Sequence, residues 1–272
     1  MQLPMASSPL SSGQLVVTTS HKARTEAISR AKTFAGQWGY EYRERGDQPF
    51  DAMIGPGDAA LVFTNSELRL ASLAGSLTSH LGTAFIRLKS FSRNEGDPLI
   101  RAGELQPGDR VIDTTFGLGR DAVVAASAVG LTGAVTALES SPGLFHLGHF
   151  GLTDGALATN QVALIAGAAP APTELVFADA REWLSTAPSD SSDVVLVDPM
   201  FDEPKTSDTG FSLLRSVADD APIDETWVAN ARRVARRWVV VKAGPSAPWF
   251  ADAGLEPVQS HSNANWWRAS AS

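Results

Sequence analysis

Val111-Ile112-Asp113-Thr114-Thr115-Phe116-Gly117-Leu118-Gly119-Arg120-Asp121 runs from an apolar stretch through two glycines into a helical pattern. It reads as a buried strand, a tight turn and the first residues of a helix. Glycine at 117 and 119 lets the backbone reverse sharply and lets a ligand approach main-chain N–H groups at a helix start. Further on, Val194-Val195-Leu196-Val197-Asp198-Pro199-Met200-Phe201 repeats the apolar run but ends in a carboxylate, a proline and an aromatic ring. Near-continuous apolar strands of this kind belong to a parallel sheet covered on both faces.

The same alternation continues on either side. From Gln106-Pro107-Gly108-Asp109 onward, strands are expected at 110–115, 134–139, 174–179, 193–198 and 238–243, with helices around 120–129, 141–152, 180–187 and 211–236. Strand–helix alternation predicts an α/β fold, a mainly parallel, Rossmann-like sheet with helices on both faces. The last two strand patterns, 255–260 and 265–269, have no helix between them, so an antiparallel hairpin should close the sheet. Upstream, Leu15–Thr19 reads as a strand. A helix is expected over 22–38, with Ser20 as N-cap and Ala27, Ile28, Ala31, Phe34, Ala35 and Trp38 at helical spacing. Two or three short strands follow, the clearest at 59–64. The expected division is a Ser/Pro-rich loose tail at 1–13, a small N-terminal α/β domain at 14–96 and the larger domain at 97–272.

Composition narrows the chemistry. The chain has 272 residues, 43% of them hydrophobic, and a mean hydropathy of -0.05, which describes a globular protein with a sizeable core. No apolar run approaches the roughly 18 residues that would span a bilayer. Residues 1–13 lack the basic start and continuous apolar stretch of a secretory signal, so a cytoplasmic location is expected. The absence of cysteine removes disulfides, thiolate zinc sites and iron–sulfur clusters. It also removes any attack on a pyrimidine ring by a cysteine nucleophile. The net charge of -8 argues against a free-standing, avid nucleic-acid binder. Residues 1–108 carry 11 Lys/Arg and 10 Asp/Glu, whereas residues 109–272 carry 11 and 20, so the N-terminal part is the better platform for a polyanion.

Acidic residues fall at successive strand ends, where open parallel sheets bind ligands. Glu139, 26 residues beyond Asp113, stands about where a carboxylate takes both ribose hydroxyls of a nucleotide cofactor. Asp179 with Ala180 suits an adenine amino group, although an aspartate before a helix is also an ordinary N-cap. Asp113 could hold an ammonium, directly or through water. Asp198-Pro199-Met200-Phe201 suits an exocyclic amine, whose lone pair is delocalised into its ring. A carboxylate and a backbone carbonyl accepting its two hydrogens localise that pair, Pro199 stiffens the turn, and Phe201 stacks on the ring. Asp198, Pro199 and Phe201 are therefore the candidate catalytic residues. Together the two stretches suggest methyl transfer from S-adenosyl-L-methionine (SAM) to a planar amino group. His146 and His149 share a helix face but lack a third ligand, so no metal is expected. Arg232, Arg233, Arg236 and Arg237 read as a basic helix end satisfying the helix dipole. Arg87, Lys89, Arg93 and Arg101 read either as a phosphate path or as a solvated face.

The same residues carry a family resemblance. Asp113-Thr-Thr-Phe-Gly-Leu-Gly-Arg-Asp-Ala122, Leu138-Glu139 and Val197-Asp198-Pro-Met-Phe201 resemble the bacterial small-subunit ribosomal RNA (guanine-N2)-methyltransferase J family. Val17-Thr-Thr-Ser20 with Lys22, and Asp97-Pro-Leu-Ile100, are closer still to an uncharacterised Gram-positive branch of that group. The resemblance implies a class I SAM-methyltransferase fold with a small N-terminal α/β domain. By motif position it implies cofactor contacts at Arg120-Asp121, Glu139-Ser140, Asp179-Ala180 and Asp198, and ribosomal RNA or the small ribosomal subunit as partner. The chain departs from the family at Ser140, where the ribosomal RNA enzymes have Arg. It also has Asp202-Glu203-Pro204-Lys205 where they have Pro-His-Lys, and an acidic pair there disfavours a phosphate-rich partner. Other readings are methylation of a small molecule or protein, a non-catalytic SAM- or RNA-binding module, and a NAD-dependent dehydrogenase. The last would want a third glycine where Arg120 and Asp121 stand.

Overall fold

The computed structural model describes residues 13–93, 95–198, 213–214, 217–218, 222–243, 248–258 and 265–271. Apart from Gly13, the expected tail lies outside them. Two sheets organise the chain. The first has the order β1-β2-β3-β4, from β1 (Leu15–Thr19), β2 (Ala59–Phe63), β3 (Leu68–Ser72) and β4 (Gly75–Thr78). β1 and β2 run parallel because α1 (Thr25–Trp38) crosses between them, and the later pairs are antiparallel. Ala27, Ala31 and Ala35 form the buried stripe of α1. That helix starts at Thr25, later than expected. Its first turn is not capped by Ser20; instead the Arg24 N–H donates to Asn65 Oδ1 at 2.9 Å.

The second sheet contains β5 (Arg110–Asp113), β6 (Ala134–Glu139), β7 (Thr173–Phe177), β8 (Ser192–Val197), β9 (Ala235–Ala243), β10 (Glu256–Val258) and β11 (Asn265–Ser270). Its order is β10-β11-β9-β8-β5-β6-β7. The five strands from β7 to β9 are parallel, and β11 inserts antiparallel between β9 and β10. The predicted hairpin closes the sheet, and its consecutive residues Trp266 and Trp267 pack into the cores on opposite faces. Strand order reverses between β5 and β8, which places a crevice beyond the end of β5.

One face carries α4 (Arg120–Val129), over which α2 (Thr83–Ser92) and α6 (Thr159–Ala166) pack. Residues 122–129 of α4 are buried on every side, which the run Ala-Val-Val-Ala-Ala-Ser-Ala-Val permits because it is small. α2 falls in sequence within 14–96, yet its Ala84 and Leu88 lie in the core of the second sheet. α3 (Pro98–Gly103) follows it and packs on β9 and β11. The other face carries α7 (Ala180–Thr186) and α8 (Glu225–Val234). The helix expected over 211–236 ends at Val234, and β9 begins at once, so Arg236 and Arg237 stand on a strand. α5 (Pro142–Thr153) is shared: it touches β6 and β7 of one sheet and β2 and β3 of the other.

Candidate functional site

The carboxyl ends of β5, β6, β7, β8 and β9 open on one cleft of about 250 Å³. Its floor is the turn from Thr114 to Leu118 with Arg120 and Asp121 behind it. Leu138, Glu139 and Ser140 come from the end of β6, and Ala178 to Arg181 from the end of β7. Asp198 and Lys242 line the opposite wall, Trp227 projects from α8, and Thr83 and Arg87 reach in from α2.

Eight of the predicted residues meet here: Gly117, Arg120, Asp121, Glu139, Ser140, Asp179, Ala180 and Asp198. Gly117 has φ +54°, and a Cβ built on it would meet only Thr115 O at 3.9 Å, so its backbone is bare toward the cleft. Glu139 ties the turn down: its oxygens accept from the N–H groups of Gly117 and Ser141, each at 2.8 Å. The same carboxylate borders the cleft beside Ser140. Asp179 is the N-cap of α7, accepting from Glu182 N at 2.9 Å, while also bordering the cleft. Thr115 Oγ1 accepts from Asp198 N at 2.8 Å and joins the two diagnostic stretches directly.

The other four fall elsewhere. Gly119 (φ +72°) packs beneath the turn, where a Cβ would approach Phe116 Cζ to 2.5 Å, so the turn itself requires a glycine there. Asp113 lies below the cleft floor and is only 2% exposed, so it does not reach a ligand there directly. Its Oδ1 accepts from Thr115 N at 3.1 Å, and Oδ2 has no hydrogen-bond partner among the described residues. Pro199 and Phe201 lie outside the described residues.

Charge organises the inner wall. Lys242 Nζ donates to Asp198 Oδ2 at 2.5 Å and to Asp121 Oδ2 at 3.2 Å. The other oxygen of Asp121 accepts from Arg87 Nη1, and Arg87 also grips Asp97 at 2.7 and 3.0 Å. Burial pushes the Asp113 carboxyl up to about 7, aided by the Asp121 charge. Burial likewise raises Asp198, opposed by Lys242 and reinforced by Asp121. Burial works to raise Asp121 too, but Lys242 and Arg87 outweigh it and hold that carboxyl well below the usual range. Arg120 is lowered by burial, and its Nε has no hydrogen-bond partner among the described residues.

Sequence reasoning missed Lys242, Trp227, Arg181 and Thr83, and it left Arg87 either on a phosphate path or on a solvated face. Only the fold brings them to the cleft, where the Arg181 guanidinium stacks 4.6 Å from the Trp227 ring. Three of the four residues suggested for a phosphate path are engaged. Arg87 is neutralised internally, Arg93 pairs with Glu95, and Lys89 lies over the Phe85 ring. Of the four downstream arginines, Arg232 and Arg233 stand in the last turn of α8, as expected, while Arg236 and Arg237 lie on β9; Arg233 donates to the carbonyls of Leu184 and Ala187 at the end of α7, and Arg237 pairs with Asp109. His146 is buried among Phe34, Trp38 and Phe145, 3.0 Å from the Tyr40 hydroxyl. Among the described residues no group of three or more His, Cys, Asp or Glu is placed to hold a metal, and no helix is long and apolar enough to cross a membrane.

The bare backbone at Gly117 and the row of carboxylates fit a nucleotide carrying positive charge, and comparison with known proteins agrees. The family model for SAM-dependent methyltransferases matches residues 56–265. The uncharacterised protein YpiP of Bacillus subtilis is 32% identical over 90% of this chain and 94% of its own. Ribosomal RNA small subunit methyltransferase J of Salmonella newport is 32% identical over 80% of this chain and 83% of its own. The enzyme of that name from Laribacter hongkongensis is 37% identical, over 62% and 59%. The crystal structure of the SAM-dependent methyltransferase NGO1261 from Neisseria gonorrhoeae superposes with a TM-score of 0.60 at 18% identity, covering 94% of this chain and 95% of that one, and thereby shares its fold. The chain belongs to the SAM-dependent methyltransferase family, is an enzyme of that class I fold, and takes S-adenosyl-L-methionine as its cofactor.

Proposed function

We propose that the chain methylates an exocyclic amine, with guanine N2 of small-subunit ribosomal RNA as the leading acceptor. The observation that carries this reading is the position of Asp198, at the end of β8 and facing the cleft across from the glycine turn. When bound, SAM supplies a methyl group on a sulfonium, and the bonding pair stays on sulfur as a neutral thioether departs. The protein's task is then alignment more than strong base catalysis. Gly117 brings bare main chain to the cofactor, Glu139 and Asp179 receive its ribose and adenine, and Ser140, Ala180, Arg120 and Asp121 complete its contacts. Asp198 accepts a hydrogen bond from the acceptor's amino group, which turns the nitrogen lone pair toward the methyl. For Pro199 and Phe201, which lie outside the described residues, the sequence suggests stiffening of the chain after Asp198 and stacking on the base. The relatives named ribosomal RNA small subunit methyltransferase J support RNA as the acceptor class.

A second acceptor class, a small molecule or a protein side chain, is favoured by the pairing of Arg87, the α2 cation that reaches the cleft, with the carboxylates of Asp97 and Asp121. Labelled SAM offered to small ribosomal subunits from a deletion strain separates the two. Incorporation into the RNA, with methylguanosine missing from that strain by mass spectrometry, supports the first. Incorporation confined to the extract's small-molecule or protein fraction supports the second. Asp198→Asn is expected to lower kcat by about 100-fold or more with little change in cofactor affinity.

A further inference from the structure

Five charged side chains from separate parts of the chain form one alternating row. Asp97 caps α3 through Leu99 N at 2.9 Å and receives Arg87 from α2. Arg87 reaches Asp121 on α4, Asp121 reaches Lys242 on β9, and Lys242 reaches Asp198 at the end of β8. Among the carboxylates of the row exposure rises from one end to the other: the side chain of Asp97 is 1% exposed, Asp121 13% and Asp198 26%. The buried end is thus anchored in packed helices, and the open end faces the ligand. Lys242 is braced on a third side by the Trp266 ring of the closing hairpin, 5.6 Å from Nζ.

We propose that Lys242 is the positioning residue for Asp198: an ammonium fixed from behind by Asp121 that engages Oδ2, sets the plane of the carboxylate and turns Oδ1 toward the acceptor nitrogen. The inference rests on the reading of Asp198 given above. Lys242 also answers an electrostatic problem. Asp198 stands beside the Asp121 charge with Asp113 beneath it, and burial favours its neutral form, which would donate a hydrogen bond where acceptance is needed. Lys242 itself stays protonated, since the two carboxylates on its ammonium outweigh its own burial. As the acceptor nitrogen gains a carbon it sheds one proton. Asp198 takes that proton and passes it to solvent at the open end of the row, while Lys242 keeps its own. Among the described residues the charged groups that reach this carboxylate are Lys242 from β9, Asp121 from α4 and Asp113 from β5, with Arg87 of α2 one step behind.

The test is a carbon-13 titration of the Asp198 carboxyl in the full-length protein saturated with S-adenosylhomocysteine, assigned by the signal lost in Asp198→Asn. Lys242→Met is expected to move the midpoint up by about 1–3 pH units, and Lys242→Arg to return it close to the wild-type position. Affinity for S-adenosylhomocysteine should change by less than about threefold in both variants. Lys242→Gln is the second variant should the methionine protein fail to fold. An unmoved midpoint overturns the proposal, as does a fall of about tenfold or more in S-adenosylhomocysteine affinity, which would make Lys242 a cofactor ligand. No methyl acceptor enters the measurement, so a wrong acceptor class leaves its outcome intact. An unmoved midpoint likewise leaves the methylation assay to stand alone.

Discussion

Asp113 shows how a residue can belong to a diagnostic motif and yet lie beneath the cleft floor. It ends β5, supports the turn through Thr115 N, and lies under Asp121 and Asp198 with one oxygen unpartnered among the described residues. Its carboxyl is held up near 7, against about 3.9 in an unfolded chain. Between those values the folded protein keeps a proton that the unfolded chain has released, so stability falls as pH rises through the window and the loss is complete above about pH 7. Asp113→Asn removes that titration. The variant is therefore expected to gain on the wild type by about 2–3 kcal/mol between pH 5 and pH 8, read from urea unfolding at the two pH values. Parallel stability curves would show that the folded protein carries Asp113 ionised throughout. The motif was legible in the sequence, but the side chain's depth below the cleft was not, because depth depends on which neighbours close over a strand end.

Among the elements, α5 carries the most structural demand per residue. It begins at Ser141 with Pro142 in its first turn, and it lies between the two sheets. Gly148 faces the glycine turn so closely that a Cβ there would stand 2.3 Å from Phe116 Cε1. Helix propensity alone favours Gly148→Ala by about 0.5–1 kcal/mol. Overpacking of a rigid ring in a filled core costs about 1–3 kcal/mol, so the steric effect wins. Gly148→Ala should lower the melting temperature and, because Phe116 belongs to the turn, also weaken S-adenosylhomocysteine binding. A variant that is more stable and binds normally would show that the turn has slack. Sequence reading placed this helix to within a residue at each end. It missed α6 altogether. It ran α8 into β9 because apolar periodicity cannot mark where a helix passes without a loop into a strand.

Across the whole molecule, the small sheet is held to the larger one through α5, and the seam contains a titratable group. His146 is packed by Phe34 and Trp38 of α1 and lies beside the Tyr40 hydroxyl, so burial, with the nearby His149 charge, lowers it to about 3. An unfolded chain binds that proton near pH 6.5. Stability contributed at the seam is thus complete above about pH 6.5 and is lost as the pH falls toward about 3. Acidification from about pH 7 to about pH 5 should weaken the seam by about 2 kcal/mol, seen as faster hydrogen exchange in α1 and β3 after correction for intrinsic rates. His146→Gln should abolish that pH dependence; equal dependence in both proteins would place the titration elsewhere.

Two short stretches sufficed to identify the parallel sheet, its glycine turn and the carboxylates at its strand ends, because these depend on local periodicity and on where a chain can turn. The closing hairpin was equally readable from a missing helix. The row from Asp97 to Asp198 was not. Lys242 stands 44 residues from Asp198 and 121 from Asp121, and no spacing rule joins residues on different strands. Nor could the sequence tell a free cation from a paired one, as Arg87 and the four downstream arginines show. Pairing is decided by which strand ends meet across the sheet, and only the folded chain sets that.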